Sequence, residues 1–256
     1  MSIKVENSHH QSSIGTITIN INDVKEIVSS GLIAYYKGDG TGNDYSGNNY
    51  NLENNGVGFT TDRDGFESEV FSLNGSSGLT LSGQNINNQS EAQTISLWFR
   101  TSSLNSVDYG GLLFGLLVST QPGSGSRFFI SMKDGLIRGT YGDELVEGIP
   151  MSEKIQSTET YADYNWHHVV FLSNGDNETA ILYIDGIDKG SIILSKSNNN
   201  NISDIDIKVG GDKIQNYFTG EIDDIALYNR AMNLPAASSG VSCWYIFISS
   251  PQAAGN

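Results

Sequence analysis

The clearest strand pattern in the sequence is "QTISLWFRTS", residues 93–102. Its side chains alternate in character, with Ile95, Leu97 and Phe99 on one side and Ser96, Trp98 and Arg100 on the other. A period of two is typical of a β-strand with one face buried. The stretch therefore predicts one strand of a sheet that packs against a core.

Apolar runs of strand length recur on both sides of this stretch, between residues 31 and 232, and turns rich in Gly, Asn and Asp separate them. The spacing is about ten residues per strand, and no long amphipathic helix interrupts the series. These features predict an all-β fold of two antiparallel sheets packed on each other. Segments 69–75 and 78–83 are predicted to pair as a hairpin.

The composition is acidic, with 29 Asp and Glu against 14 Lys and Arg and a net charge of −15. Such a surface repels a phosphate backbone, so the charge argues against a nucleic-acid partner. The excess of carboxylates is compatible with calcium, which prefers oxygen ligands, and also with a solvated surface that serves only solubility. Cys243 is the single cysteine, which excludes an internal disulfide and a Cys-based zinc site.

Three parts of the chain are predicted. Residues 1–30 form an N-terminal arm with one short strand, "GTITININ" at 15–22, and residues 31–232 form the sandwich. Residues 233–256 form an apolar tail or an extra strand. Neither a Sec-type signal peptide nor an apolar stretch of roughly 18 residues is visible, so no membrane insertion is expected.

Six segments resemble, in order, the laminin G-like, concanavalin A-like jelly-roll domains of bacterial and viral proteins. They are "GLIAYYKGDGTGNDYSGNNYN" (31–51), "FSLNGSSGLTL" (71–81), "TISLWFRT" (94–101), "NWHHVVFLSNG" (165–175), "LYIDGIDKG" (182–190) and "FTGEIDDIALYNRAM" (218–232). The resemblance implies a two-sheet antiparallel jelly roll with one convex and one concave sheet. It also implies glycans or surface partners as ligands, and often a calcium ion near the first loop and the last strand.

The last of these segments raises the question of catalysis. Related laminarinase-type glycosidases carry Glu-x-Asp-x-x-Glu on one strand, with the two glutamates as nucleophile and acid. Glu221 and Asp223 match the first two acids, but Ala226 occupies the place of the second glutamate. A retaining mechanism needs two carboxyl groups about 5 Å apart, so no glycoside hydrolysis is expected from this motif.

The acidic pair Asp223 and Asp224 raises the question of a metal. On a regular strand adjacent residues face opposite sides, so one of the two is predicted to turn towards the interior edge, where an unpaired charge is costly. A cation would neutralise it, and by resemblance Asp44 and Asp223 are the first calcium ligands, with Asp224 as a substitute. Hydrogen bonds from backbone amides, or a nearby Lys or Arg, are the alternative.

Two further groups of residues are candidates for binding. His167 and His168 point to opposite faces of one strand, so they cannot chelate one zinc ion and are predicted to be structural, with Trp166 packed in the core. Trp98, Arg100 and Tyr141 are the predicted ligand contacts, because an aromatic face suits a sugar ring and a guanidinium can bond to hydroxyls or a sugar carboxylate. The alternative is that Trp98 only fills the sheet under a covering loop.

These observations predict a non-enzymatic recognition module that binds glycans or a surface partner, with structural calcium. One alternative is a virion surface protein that contacts capsid or tail proteins through residues 1–30 and 233–256. A second alternative is a glycosidase or lyase of the same fold. The expected location is extracellular or on a virion surface.

Overall fold

All regular structure in the described part of the chain is β-strand. A computed structural model describes residues 2–6, 12–16, 27–63, 65, 69–84, 92–107, 110–118, 126–141, 153–174, 179–194, 205–211 and 216–232. Within these ranges no helix is long and apolar enough to cross a membrane. The strands are β1 (Ser2–Glu6), β2 (Ser12–Thr16), β3 (Leu32–Tyr36), β4 (Glu53–Asn55), β5 (Gly58–Thr60), β6 (Val70–Asn74), β7 (Gly78–Gln84), β8 (Gln93–Arg100), β9 (Gly111–Val118), β10 (Ser126–Lys133), β11 (Leu136–Tyr141), β12 (Glu153–Gln156), β13 (His167–Asn174), β14 (Thr179–Ile184), β15 (Ile187–Ile193), β16 (Ile205–Val209) and β17 (Thr219–Tyr228).

Two antiparallel sheets form the sandwich. The seven-stranded sheet has the order β12-β11-β10-β9-β16-β7-β4. The eight-stranded sheet has the order β15-β14-β13-β8-β17-β6-β5, with β3 also paired to β17. Strands distant in sequence are neighbours, as in β9-β16-β7 and β8-β17-β6, so the chain crosses repeatedly between the sheets. The all-β, two-sheet antiparallel jelly-roll prediction is confirmed.

The core lies between the sheets and is filled by every second side chain. The three alternating apolar residues of "QTISLWFRTS" point into it and are fully buried. Phe128 of β10 stacks on Phe171 of β13 with ring centroids 4.5 Å apart, which joins the two sheets. Gly139 of β11 makes room for this contact, because a Cβ there would lie 2.4 Å from the Phe171 ring.

The strand β17 is central to the eight-stranded sheet and divides one of its edges between two partners. Its first half, as far as Ile222, pairs with β6, and its second half, from Ile225, pairs with β3. The other edge pairs with β8 on both sides of an irregularity. Asp223 and Asp224 occupy the point where the partner changes.

The predicted hairpin of segments 69–75 and 78–83 is wrong. β6 belongs to the eight-stranded sheet and β7 to the seven-stranded sheet, so the short connection between them carries the chain from one sheet to the other. At the N-terminus, β1 pairs with β2 as an antiparallel hairpin in a unit separate from the sandwich. Of the single strand predicted at 15–22, only residues 15 and 16 are described. Residues 233–256 lie outside the described residues.

Candidate ligand-binding site

A β-bulge in β17 turns both aspartates to the outer face of the eight-stranded sheet, the face away from the core. Asp223 lies opposite Trp98 of β8, but Ala226 is the next residue in register, so one residue is extra. Asp224 has a positive φ of 48°. Ile222 and Ile225 both enter the core. The simple alternation predicted for this strand is therefore wrong, because the extra residue shifts the pleat by one position.

Arg63, from the segment between β5 and β6, forms ion pairs with both carboxylates. Its Nη2 atom lies 2.5 Å from Oδ2 of Asp224 and 3.3 Å from Oδ2 of Asp223. The Tyr35 hydroxyl donates a hydrogen bond of 2.8 Å to Oδ1 of Asp224. Burial, followed by the Asp224 charge, raises the pKa of Tyr35, so the hydroxyl remains a donor. At Asp223 and Asp224 the structure thus shows the arrangement predicted as the alternative to calcium, in which a nearby arginine contacts the carboxylates.

Asp44 lies in the first loop and has different partners. Its carboxylate accepts hydrogen bonds from the backbone N–H groups of Tyr35, Ser46 and Tyr50, and from the Ser46 hydroxyl, at 2.8 to 3.0 Å. The loop is thus closed around a single carboxylate, in the manner of an Asx-turn.

The structure does not combine Asp44 with Asp223 and Asp224 in one oxygen cage. Asp44 bonds to the backbone of Tyr35, whereas Asp224 bonds to the hydroxyl at the far end of that side chain. Among the described residues, no group of three or more His, Cys, Asp or Glu side chains is placed to hold a metal ion. The three predicted ligands therefore do not fit a shared calcium site here, and calcium itself stays a prediction.

Trp98 is buried beneath Arg63. The guanidinium carbon of Arg63 lies 4.1 Å from the centroid of the indole, and the His168 ring lies 5.0 Å from it. Only 7% of Trp98 is exposed. Trp98 is thus covered by Arg63 on the outer face, which agrees with the alternative that Trp98 only fills the sheet under a covering loop.

Arg100 lies between two other aromatic rings. Its guanidinium carbon is 4.7 Å from the Tyr164 centroid and 4.8 Å from the Trp166 centroid. Nε and Nη2 both donate to Oε2 of Glu221, the first of these bonds at 2.6 Å. The prediction that Trp166 packs in the core is wrong, because it is half-buried and contacts the outer-face arginines.

We call this set of side chains the arginine–aromatic cluster. It comprises Trp98, Trp166, Tyr164, Arg63, Arg100, Glu221, Asp223 and Asp224. Arginine alternates with aromatic rings in it, because Arg63 approaches both Trp98 and Trp166, and Arg100 approaches both Trp166 and Tyr164. Cation–π attraction stabilises each step of the series.

Tyr164 ends the cluster at the surface, in a strained conformation. It has a positive φ of 65°, which is unusual for a bulky side chain, and 57% of it is exposed. Its N–H donates to the carbonyl of Thr101 at 2.8 Å, which fixes the turn beside β8. The backbone therefore holds an exposed aromatic ring over Arg100 at a cost in local strain.

The two histidines lie on opposite faces, as predicted. His168 bonds to the Ser96 hydroxyl on the outer side, and burial, followed by the Arg63 charge, lowers its pKa to about 4. His167 lies between Asp185 and Asp163, at 2.7 and 3.0 Å. Burial opposes charging of His167, but these two carboxylates raise its pKa above the usual value. Burial likewise disfavours ionised Asp163, yet hydrogen bonds from Asn165 and His167 lower its pKa to about 2.

Tyr141 is not part of the cluster. It lies at the end of β11 in the seven-stranded sheet, packs on the core and contacts Phe128 edge to face. Of the three predicted ligand contacts, the structure therefore brings together only Trp98 and Arg100. Sequence reasoning missed Arg63 and Tyr164, and the only signal for Tyr164 was its place in the turn-forming "DYN" before Trp166.

Known proteins of the same fold match most of the chain. The family model described as the concanavalin A-like lectin/glucanases superfamily matches residues 73–236. The binding domain of Paraclostridial Mosquitocidal Protein 1 is 26% identical, with a TM-score of 0.58, over 80% of this chain and 50% of that chain. The binding domain of Botulinum neurotoxin DC, in complex with rat synaptotagmin II, is 18% identical, with a TM-score of 0.59, over 81% and 50%. The chain thus spans about half the length of these toxin domains.

A structure of more similar length is Domain 4 of AbnA, a GH43 extracellular arabinanase from Geobacillus stearothermophilus, in complex with arabinotriose. It is 21% identical, with a TM-score of 0.54, over 77% of this chain and 91% of that chain. At this identity, as for the neurotoxin domain, the likeness shows the fold alone. No curated protein sequence matches the chain.

Proposed function

The chain belongs to the concanavalin A-like lectin/glucanases superfamily, and from this membership we propose that it is a non-enzymatic recognition module. In this proposal it binds a glycan on the outer face of the eight-stranded sheet, at Tyr164 and the adjacent edge of Trp166. The ligand stacks its C–H face on the Tyr164 ring and takes hydrogen bonds from polar groups of the same turn.

The observation that carries the proposal is the strained exposure of Tyr164. A bulky residue at positive φ costs on the order of 1 kcal/mol or more, and such strain is concentrated at functional sites. Folding alone gives no reason to place a large ring there, because more than half of it faces water. Trp166 adds support, since its indole N–H is buried without a hydrogen-bond acceptor among the described residues.

The arrangement of the carboxylates supports binding without hydrolysis. A glycosidase needs one carboxyl group that is protonated and faces the scissile oxygen. Glu221 is paired with Arg100, and Asp223 and Asp224 are paired with Arg63, so each carboxylate is already occupied by a guanidinium and does not face an open site. The position of the second catalytic glutamate is Ala226.

The solved structures of the same fold support the class of ligand. One contains arabinotriose, and another is the binding domain of Botulinum neurotoxin DC in complex with rat synaptotagmin II. We favour a glycan over a protein at this site because its exposed aromatic ring, Tyr164, has polar neighbours and is small compared with a protein interface. An extracellular or virion-surface location, and assembly through residues 1–30 and 233–256, stay predictions.

The experiment is a binding screen on a glycan array with the wild type and Tyr164→Asn. Asparagine tolerates positive φ, so the variant should melt at the same temperature as the wild type or slightly higher. It should lose binding at least tenfold, because the stacking face is gone. The matched control is Tyr45→Asn, which removes another exposed tyrosine, in the first loop, and should keep the binding. Unchanged binding by Tyr164→Asn would contradict the site.

A further inference from the structure

We propose that the ligand at Tyr164 is an uncharged glycan and that the site rejects glycans carrying a carboxylate or a sulfate. This inference rests on the function proposed above and names the ligand class of the same site. It runs against the first expectation from the sequence, in which Arg100 was a possible partner for a sugar carboxylate. The reason is that no guanidinium of the arginine–aromatic cluster lacks a carboxylate partner.

Arg100 is already neutralised where the ligand would approach. Two of its nitrogen atoms donate to the same oxygen of Glu221, and both side chains are largely buried. An anionic ligand could pair with Arg100 only by competing with Glu221. Displaced from its partner, Glu221 would be a partly buried charge without compensation, which costs far more than a new surface ion pair returns.

Arg63 offers no second anion site. Its Nη2 contacts both Asp223 and Asp224, and its guanidinium lies over Trp98 beneath the surface. The two carboxylates are 2% and 7% exposed, so both are buried against this arginine. A ligand that drew Arg63 away would have to break two buried ion pairs.

The charge of the whole site is therefore negative. The cluster has two guanidinium groups against three carboxylates, Glu221, Asp223 and Asp224. Asp163 lies in the same turn as Tyr164, is exposed, and has a pKa of about 2. The adjacent His167, shared between Asp163 and Asp185, compensates this charge only when it is protonated. The chain's net charge of −15 adds to the repulsion of an anion.

An uncharged sugar meets none of these obstacles. Its C–H face stacks on Tyr164. Asn165 already donates to Oδ2 of Asp163, so a sugar hydroxyl would donate to the second lone pair of that oxygen or accept the second amide hydrogen of Asn165. A hydroxyl donor to a carboxylate is a strong hydrogen bond that requires no ion pair to be broken. The negative charge of the site thus discriminates against acidic glycans and in favour of uncharged ones.

The test is a panel of matched glycans measured by biolayer interferometry with the full chain. Each pair consists of a neutral oligosaccharide and the same oligosaccharide with one acidic group, such as N-acetyllactosamine and sialyl-N-acetyllactosamine. N-Acetylglucosamine oligomers and their deacetylated, cationic counterparts form a further pair. We expect every acidic member to bind at least tenfold more weakly than its neutral partner, and the difference to shrink in concentrated salt.

Glu221→Gln gives the decisive comparison. It releases Arg100, so the ratio of acidic to neutral binding should rise by about tenfold. Glu53→Gln changes the net charge equally, on the edge strand β4 of the other sheet, and should leave the ratio unchanged. Asp163→Asn, on the exposed turn, is a second variant in case Glu221→Gln does not fold, and it should shift the ratio in the same direction.

The possible failures are distinguishable. If no member of any pair binds, the proposed function is wrong and this inference falls with it. If an acidic member binds as well as its neutral partner or better, or if the cationic member binds more weakly than its neutral partner, glycan binding stands and the inference alone is overturned. An unchanged ratio in both Glu221→Gln and Asp163→Asn would also overturn it.

Discussion

Carboxylates are satisfied in two different ways in two regions of this molecule. In the first loop, Asp44 accepts its hydrogen bonds chiefly from backbone N–H groups. In the bulge of β17, Asp223 and Asp224 share one guanidinium that also covers Trp98. The loop carboxylate is thus held chiefly by three backbone N–H groups, whereas the bulge carboxylates are held by side chains, above all Arg63. Substitutions in the two regions, and changes of pH and of calcium, test this contrast.

Removal of Arg63 should have the largest effect. Arg63→Ala removes the guanidinium that pairs with two buried carboxylates, and we expect the free energy of unfolding to fall by about 3–5 kcal/mol. Urea denaturation followed by tryptophan fluorescence measures this loss. The control adds Asp223→Asn and Asp224→Asn to Arg63→Ala, which should recover at least half of it. A triple variant as unstable as the single one would show that packing on Trp98, and not charge, is the main contribution of Arg63.

Acid should weaken the region of the bulge through His168, which packs on Trp98. The pKa of His168 is lowered from 6.5 to about 4 in the folded protein, so the unfolded chain binds the proton more readily. Stability should therefore be unaffected by His168 above pH 6.5, fall as the pH drops below this value, and have lost up to about 3 kcal/mol near pH 4. Thermal melting of the wild type and of His168→Gln across this range measures the contribution.

His167, on the other face of the same strand, is the internal control. Its pKa is raised, so its contribution is fully present below pH 6.5 and disappears as the pH rises through its higher folded value. His167→Gln should therefore steepen the loss of stability in acid, whereas His168→Gln should flatten it. If both variants changed the pH profile in the same direction, the assignment of opposite environments would be incorrect.

Loss of the loop carboxylate should have an intermediate effect. Asp44→Ala removes the acceptor for three backbone N–H groups, but the loop is partly open to water, so we expect a loss of about 2 kcal/mol. Asp39→Ala is the matched control, since Asp39 lies in the same loop and bonds only to exposed neighbours among its described contacts. A loss as small as that of the control would mean that the backbone alone maintains the loop.

Calcium should have the smallest effect. The resemblance predicts that calcium raises the melting temperature and that a chelator reverses the rise. Because the predicted ligands already have donors within the protein, we expect a stabilisation of about 1 kcal/mol or less. Differential scanning calorimetry of the wild type, Asp44→Asn and Asp223→Asn shows which region binds calcium. The variant that removes a calcium ligand should no longer show the calcium-dependent increase in melting temperature, whereas the other variant should keep it. The absence of any shift would contradict the calcium prediction.

The regular part of the fold was predictable from the sequence, and the irregular part was not. In β8 a strict period of two identified which side chains point into the core and which lie on the outer face, because nothing interrupts the pleat. In β17 the same reasoning wrongly placed Asp223 and Asp224 on opposite faces. The strand contains one extra residue, and the sequence gives no signal for a bulge there. Arg63 reaches Asp224 across 161 positions, a distance over which local patterns carry no information.

Local signals were also ambiguous at the turns. The segments 69–75 and 78–83 are separated by two residues, which fits a hairpin as well as a crossing between sheets, and only the complete topology decides between them. The strain at Tyr164 depends on its N–H bond to Thr101, which composition does not reveal. The candidate site is thus built from the features that periodicity cannot detect.

The bulge in β17 also determines how this strand can change over time. Removal of residue 224, the extra one, would return the strand to an even pleat and leave Ile225 and Leu227 in the core. Removal of a residue from the regular second half would instead turn the side chains on one side of the gap to the opposite face. Homologous chains should therefore tolerate a one-residue deletion at position 224 more readily than at Ala226.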